Sequence, residues 1–308
     1  MSRRRRSGRP ISGILLLDKD PGGSSNAALQ SAKRLFEARK AGHTGSLDPL
    51  ASGLLPVCFG EATKVSGFLL DADKTYWVRA RLGEKTATGD AEGEITETTT
   101  TGLPDDDTLQ QCLAGFLGEQ DQIPPMYSAV KHQGKRLYEL ARAGIEVKRE
   151  PRRIRVDEFC LVDADDSSFA LRIRCSKGTY VRTLVEDLAE RLGTLAHVTA
   201  LRRLAVGPFE EAGMVGLEAL TRQRDADGLA ALDRYLLPVA SALNHWPSVT
   251  LDSASQFYLE RGQPVQVPQA PASGWVRICD AANTLLAVGE VMDDGRIAPR
   301  RMFQARGS

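Results

Sequence analysis

The stretch Gly42-His43-Thr44-Gly45-Ser46-Leu47-Asp48-Pro49-Leu50-Ala51-Ser52-Gly53 places a histidine and an aspartate five residues apart, bracketed by glycines. Glycine permits positive φ and close backbone approach, so the segment suits a loop wrapped around a ligand. A carboxylate in such a loop serves as a nucleophile or a general base. The same residues have a plainer reading. Aspartate is a good helix N-cap and proline is favoured at the first helical position, so Asp48-Pro49 also reads as a helix start. From spacing alone the cap has the stronger claim, because most carboxylates are not catalytic. His43 by itself is a hydrogen-bonded loop histidine. No neighbouring Cys or HxxE pattern supplies the further ligands a metal needs.

These residues need a scaffold, and the hydrophobic pattern supplies one. Residues 13–17 form an apolar run bounded by Gly and Asp and read as a buried strand. Ser24 or Ser25 caps a helix that carries Leu29, Ala32, Leu35 and Phe36 on one face. Residues 42–56 read as loop plus one short helix. Tyr76, Val78, Ala80 and Leu82 share one face of an alternating strand. Leu109, Leu113, Phe116 and Leu117 mark a helix capped by Asp106 or Asp107, and 135–143 marks another, stopped by Gly144. Phe169, Leu171, Ile173 and Cys175 alternate with Ala170, Arg172 and Arg174 in a second strand. It runs through Ser176-Lys177-Gly178-Thr179 into a helix with Val181, Leu184, Val185, Leu188 and Leu192 at helical spacing, ending at Gly193. Residues 214–245 read as helical. After Pro247 the texture turns to short strands at 249–251, 275–279, 285–291 and 297–303. Strands and helices do not alternate as in βαβ units, which predicts an α+β fold with antiparallel strands.

The chain has 308 residues, 42% hydrophobic and 26% charged, enough for one large domain and a small one around real cores. Three segments follow: a disordered basic arm at 1–10, a main domain at 11–246 and a small, mostly β domain at 247–308. Residues 96–108, rich in Thr and Asp, read as an exposed loop. Formal net charge is zero, but the charge is segregated. Residues 84–107 are acidic. Residues 131–155 are basic and include Lys131, Lys135, Arg136, Arg149, Arg152 and Arg153. Segregation of this kind suits a polyanion partner, although any one run also reads as a solvated face. Five scattered cysteines without a CxxC pair argue against a disulfide framework or a zinc site and fit a reducing cytoplasm. No apolar run spans a bilayer, and no apolar stretch follows the arginines at the start. A dinucleotide fingerprint and a P-loop are both absent, so no cofactor is called for.

The full string from Ala41 to Pro56 resembles the signature motif of the TruB family of pseudouridine synthases. Leu16-Leu17-Asp18-Lys19 followed by Ser24-Ser25-Asn26 is similar to the family's N-terminal motif. Gly60-Glu61-Ala62-Thr63-Lys64 and Asp73-Lys74-Thr75-Tyr76 resemble its next blocks. Cys175-Ser176-Lys177-Gly178-Thr179-Tyr180-Val181-Arg182-Thr183-Leu184 resembles its arginine motif, and 197–204 its last catalytic block. The resemblance runs from about Ile11 to Phe209, and the tail resembles the PUA-type domain of bacterial members. One departure is visible: the family reads Lys-Pro after the first strand, whereas this chain reads Lys19-Asp20-Pro21.

The resemblance implies a bent, mostly antiparallel sheet with flanking helices, and a reaction without redox step or group carrier. The N1–C1′ bond of a tRNA T-loop uridine (position 55 in tRNA numbering) breaks, the uracil turns, and C5 rejoins C1′. The base must first leave its stack. Asp48 is then the catalytic carboxylate, and Arg182 pairs with it and keeps it ionised. Tyr76 stacks on the uracil. His43 fills the vacated space or contacts the phosphate, Tyr180 and Leu201 complete the pocket, and Lys19 and Lys64 support it. Residues 123–155 correspond to an RNA-gripping insertion. The implied partner is tRNA, for a chain acting as a monomer without membrane or obligatory protein partner. Taken singly, Tyr76 and Leu201 read as core residues and Arg182 as a helix-surface arginine. Two rivals are an RNA-binding protein without catalysis and a nucleoside hydrolase using Asp48. A zinc deaminase lacks its H-x-E…P-C-x-x-C pattern here.

Overall fold

Val78 and Ala80 are fully buried because the alternating run around them forms the strand Lys74–Leu82, with that face turned to the core. The computed structural model describes residues 8–304. Among them, eleven strands make one sheet. Its main path runs Val215–Gly216, Gly13–Lys19, Ser52–Phe59, Ala196–Val206, Lys74–Leu82, Ser168–Cys175, Arg152–Ala164 and Gly118–Gln122. Two pairings on this path are parallel: Gly13–Lys19 with Val215–Gly216, and Ser52–Phe59 with Ala196–Val206. The other pairings on it are antiparallel. Register shifts at Val198/Ala200 and Arg203/Ala205 break the ladder where Ala196–Val206 crosses Lys74–Leu82. Such bulges bend a sheet and re-aim side chains.

The helix Val181–Arg191 lays Val181, Leu184, Val185 and Leu188 against that face, all buried. Each such side chain contributes about 1.5–3 kcal/mol by leaving water. The helix Asp106–Ala114 packs beside it through Leu109 and Leu113. Its cap is Asp105, whose carboxylate accepts from Thr108 N at 3.0 Å, so the helix begins one residue before the sequence suggests. Leu117 lies beyond the helix and is exposed. On the other edge, Ser24 caps Ser25–Leu35 by accepting from Ala27 N at 3.1 Å.

Several expectations change. Residues 42–56 contain no helix. Ala41–His43 and Ser52–Phe59 are strands, and Asp48 lies in the turn between them. Gly53 and Pro56, residue types that usually break strands, sit inside the second strand. Residues 135–143 begin as a hairpin, Lys131–His132 with Lys135–Arg136, and only Leu137–Arg142 is helical. Residues 214–245 divide into the helix Leu217–Asp227, 3-10 turns and two two-residue strands, Val215–Gly216 and Leu236–Leu237, with Gly228 (φ 80°) and Pro238 interrupting the run. Within 96–108, Ile95–Thr98 is an exposed strand that pairs with the partly buried Glu84–Thr86. Of the arm expected at 1–10, residues 1–7 lie outside the described residues; Arg9 bonds Glu37 and Arg39 through its backbone and pairs with Asp233.

The C-terminal strands Ser248–Thr250, Gly274–Cys279, Leu285–Val291 and Ile297–Met302 form a separate four-stranded sheet. It also carries a short helix, Ser253–Leu259, capped by Asp252, that the strand-like texture of the tail does not announce. Trp246 stacks on Trp275, and Phe68 of the main sheet's region meets both rings edge-on.

Candidate active site

Asp48 sits on a turn pinned at several backbone points by buried side chains. Ser25 accepts from Leu47 N at 2.7 Å and donates to Leu47 O at 3.1 Å. Lys19, 2% exposed, donates to the carbonyls of Asp20, Pro49 and Ala51. Gly22 N donates to Pro49 O at 2.8 Å. Burial lowers the Lys19 pKa, with neighbouring carboxylates, Asp48 among them, opposing the fall. The lysine of the first strand thus acts as a cation that gathers loop carbonyls. Gly45 (φ 123°) and Gly53 (φ 96°) take left-handed backbone that other residues rarely adopt. A Cβ at Gly53 would lie 2.4 Å from the Arg203 carbonyl oxygen, so that close approach needs glycine.

Arg182 comes from the first turn of the helix Val181–Arg191 and is almost fully buried. Its Nη2 meets Asp48 Oδ2 at 2.9 Å and donates to Tyr127 O at 2.9 Å. Its Nη1 meets Asp90 Oδ2 at 3.2 Å and donates to Thr88 O at 2.6 Å. The two carboxylates differ sharply: the Asp90 side chain is 4% exposed and that of Asp48 is 44%. Asp90 is further held by Thr88 Oγ1 at 2.6 Å and Glu92 N at 3.1 Å. The buried pair fixes the guanidinium, and the guanidinium aims the open carboxylate. Asp48 therefore leaves a carboxylate oxygen open while its orientation is held from behind.

Tyr76, partly buried, and Leu201, 7% exposed, pack against the same core as Leu47 and Val181. Burial pushes the Tyr76 phenol up, and the adjacent Arg203 guanidinium only partly offsets this. The phenol is protonated at neutral pH. Burial holds His43 below the ordinary imidazole value, and Arg203 adds to the effect. The ring is neutral at pH 7, and its Nδ1 accepts from Gly45 N at 3.4 Å. Tyr180 stands at the N-cap of the arginine helix. Gln122, 4% exposed, clamps it by donating to Tyr180 O at 3.0 Å and accepting from Tyr180 N at 2.8 Å.

The structure places Asp48, Arg182 and Lys19 around one turn, and brings Tyr76 and Leu201 onto the core beside it. Lys64 lies elsewhere. It pairs with Glu61, donates to Met302 O at 2.7 Å and faces Phe303, tying the main sheet's region to the C-terminal one. The basic residues spread over an outer face. Lys131, Lys135 and Arg136 form the exposed hairpin. Arg152 and Arg153 line a groove of about 550 Å³ with Leu70, Arg155, Lys177 and Gly178. Arg153 already meets Glu119 and Asp121, and Arg149 meets Glu146 and the Pro124 carbonyl. A larger groove, about 650 Å³, is lined by Asp73, Glu158, Arg172 and Arg174 and includes none of the Asp48 cluster.

Two residues that hold this cluster carry no separate signal in the sequence: Asp90 reads as one more member of an acidic run, and Gln122 falls in a segment with no assigned element. Ser25 stands in the N-terminal motif but reads by itself only as a helix cap.

Asp48, half open and paired with buried Arg182, stands beside an aromatic ring and apolar walls. Comparison with known proteins identifies the family. Residues 33–181 match the model of the TruB family pseudouridylate synthase N-terminal domain, 182–244 that of the tRNA pseudouridylate synthase B C-terminal domain, and 247–303 that of the pseudouridine synthase II TruB C-terminal region. The chain is 52% identical over 300 residues to tRNA pseudouridine synthase B of Nitrosococcus oceani, covering 97% of each. It is 52% identical over 305 residues to the enzyme of that name from Pseudomonas aeruginosa, covering 99% of this chain and 100% of the other. A solved chain from a Cbf5–Nop10–Gar1 complex matches with a TM-score of 0.75 at 26% identity, over 96% of this chain and 85% of that one. The chain belongs to the TruB family of pseudouridine synthases, isomerases that convert uridine to pseudouridine.

Among the described residues, no helix is long and apolar enough to cross a membrane.

Proposed function

We propose that this chain isomerises the T-loop uridine of tRNA, position 55, with Asp48 promoting glycosidic cleavage. The observation that carries the reading is the 2.9 Å ion pair between half-open Asp48 and buried Arg182. The names of the relatives, tRNA pseudouridine synthase B, support tRNA as the substrate. The uridine leaves its stack, at a cost of a few kcal/mol. Tyr76 receives the uracil face, with Leu201 and Tyr180 closing the sides and neutral His43 at the mouth. Asp48 acts as nucleophile or base while the N1–C1′ bond breaks. The uracil turns, C5 bonds to C1′, the C5 proton leaves and N1 gains one. Mass mapping of a tRNA transcript before and after incubation, with a pseudouridine-specific label, tests this. A single labelled T-loop site is expected. Free uracil would favour a hydrolase, and a label confined to another loop would overturn the T-loop assignment.

Tyr76→Phe keeps the ring and is expected to bind tRNA normally while slowing turnover. Tyr76→Ala removes the platform as well and should weaken engagement of the flipped base by about 1–3 kcal/mol. Base fluorescence of a substrate carrying 2-aminopurine next to the target reads engagement separately from product. Wild-type engagement and turnover in Tyr76→Ala would reject the platform.

Affinity comes mainly from ion pairs with RNA phosphates along the basic face. Replacing Arg149, Arg152 and Arg153 together with glutamine should weaken tRNA binding. It should also flatten the salt dependence, by about one log–log unit for each phosphate no longer neutralised. Arg152 should carry the largest single share. Among the described residues it has no carboxylate in ion-pair range, whereas Arg153 must first give up Glu119 and Asp121. Unchanged affinity and slope in the triple variant would make this a solvated face.

A further inference from the structure

Arg203 lies in the middle of the strand Ala196–Val206 and is only 1% exposed. It has no carboxylate within ion-pair range among the described residues. Its hydrogen bonds go to the carbonyls that flank the Asp48 turn instead: Nε donates to Leu54 O at 2.7 Å and Nη2 donates to Gly45 O at 3.2 Å. In the sheet, Arg203 is the register partner of Tyr76 on one side and of Gly53 on the other. Its side chain therefore shares a face with Tyr76, and the guanidinium reaches the phenol. Gly45 stands near the start of the turn and Leu54 just past its end, in the strand Ser52–Phe59. One planar fork thus spans the turn's two ends, with the aromatic platform against it.

We propose that Arg203 is a positioning residue of the isomerisation: its guanidinium fastens both ends of the turn that carries Asp48 and seats Tyr76 in register with it. A guanidinium out of water must satisfy its donors within the protein, and the fixed fork dictates where the acceptors stand. The carbonyls of Gly45 and Leu54 are held to that geometry. Lys19 gathers the middle of the turn and Ser25 its Leu47 peptide, so Arg203 supplies the outer anchor. The positive charge also explains why His43 and Tyr76 both feel this residue. The inference rests on the assignment of Asp48 as the reacting group.

Arg203→Lys and Arg203→Met test it. Lysine keeps the charge but loses the fork, and methionine loses both. Single-turnover pseudouridine formation is expected to fall on the order of 10–100-fold in both, the scale of a small misplacement of reacting groups. Binding of tRNA should change by no more than about threefold, because the phosphate-binding residues lie elsewhere. Imidazole NMR gives a second readout. His43 should titrate higher in Arg203→Met, where a repelling cation is gone, and stay low in Arg203→Lys. Wild-type turnover in Arg203→Met, or turnover and binding falling together, would overturn the proposal. If neither variant folds, guanidinium NMR of the wild-type chain decides. A clamped Arg203, assigned through its proximity to the Tyr76 ring, shows distinct, slowly exchanging Nη protons; an averaged, freely rotating group refutes the clamp. Asp48→Asn run in parallel separates the two readings. Full turnover there sinks the role of Asp48, whereas the NMR result bears on Arg203 alone.

Discussion

Asp48→Asn is expected to abolish pseudouridine formation, by on the order of 10⁴-fold or more, while tRNA affinity stays near wild type. The substitution keeps size and shape and removes the charge that a nucleophile or base needs. The fold should tolerate it. No helix follows Asp48, so no cap is lost. The turn is held by Ser25, Lys19 and Arg203 through backbone atoms, none of which the substitution touches. Arg182 keeps Asp90 and the carbonyls of Thr88 and Tyr127. Affinity should hold because phosphate neutralisation dominates it, and removing a negative charge near RNA acts in the same direction. Product formation and tRNA binding are measured on one preparation, with thermal unfolding as the folding control. A variant that still isomerises uridine at the wild-type rate would leave Asp48 without a chemical role.

Which parts are legible in the sequence follows from what periodicity measures. Strands and helices with one apolar face announce themselves, and Tyr76 to Leu82, Phe169 to Cys175 and Val181 to Leu188 all lie as their spacing requires. Ser52–Phe59 is hidden because Gly53 and Pro56 are ordinarily breakers. Gly53 is there to let the Arg203 backbone approach, and the Pro56 carbonyl is used by Thr44 N. Ala196–Val206 is hidden by Arg202 and Arg203 at its centre. Arg202 forks onto Asp18 at 3.0 and 2.9 Å, and Arg203 onto the carbonyls of Leu54 and Gly45. Charged residues look solvated in one dimension whatever they meet in three.

The same limit governs the site. The Asp48 segment is legible as a motif, but its alternative as a helix cap can be rejected only by seeing the chain turn back into a strand. Asp90 is separated from its partner by 92 positions in the chain, and nothing local marks it as the one buried carboxylate of an acidic stretch. Lys64 shows the reverse: a lysine within a family motif whose bonds serve the junction with the C-terminal sheet.

Arg182→Met should lose both turnover and stability, and the loss divides between two carboxylates. Methionine fills the stem's volume but leaves Asp90, at 4% exposure, without a cation. Removing one partner of a buried pair costs about 3–5 kcal/mol, because the remaining charge stays out of water. Asp48, nearly half exposed, can rehydrate and should add little to that penalty. The double variant Arg182→Met/Asp90→Asn removes the stranded charge. Thr88 Oγ1 and Glu92 N can still donate to the amide oxygen. It should recover most of the lost stability. It should recover no turnover, since Asp48 then has nothing to aim it. Asp90→Asn alone should be milder than Arg182→Met on both counts, because Arg182 keeps Asp48 and two carbonyls. Denaturant unfolding and single-turnover product formation on the set of variants separate the roles. If the double variant regains activity along with stability, Arg182 only balances Asp90, and the orientation of Asp48 must come from the backbone anchors alone.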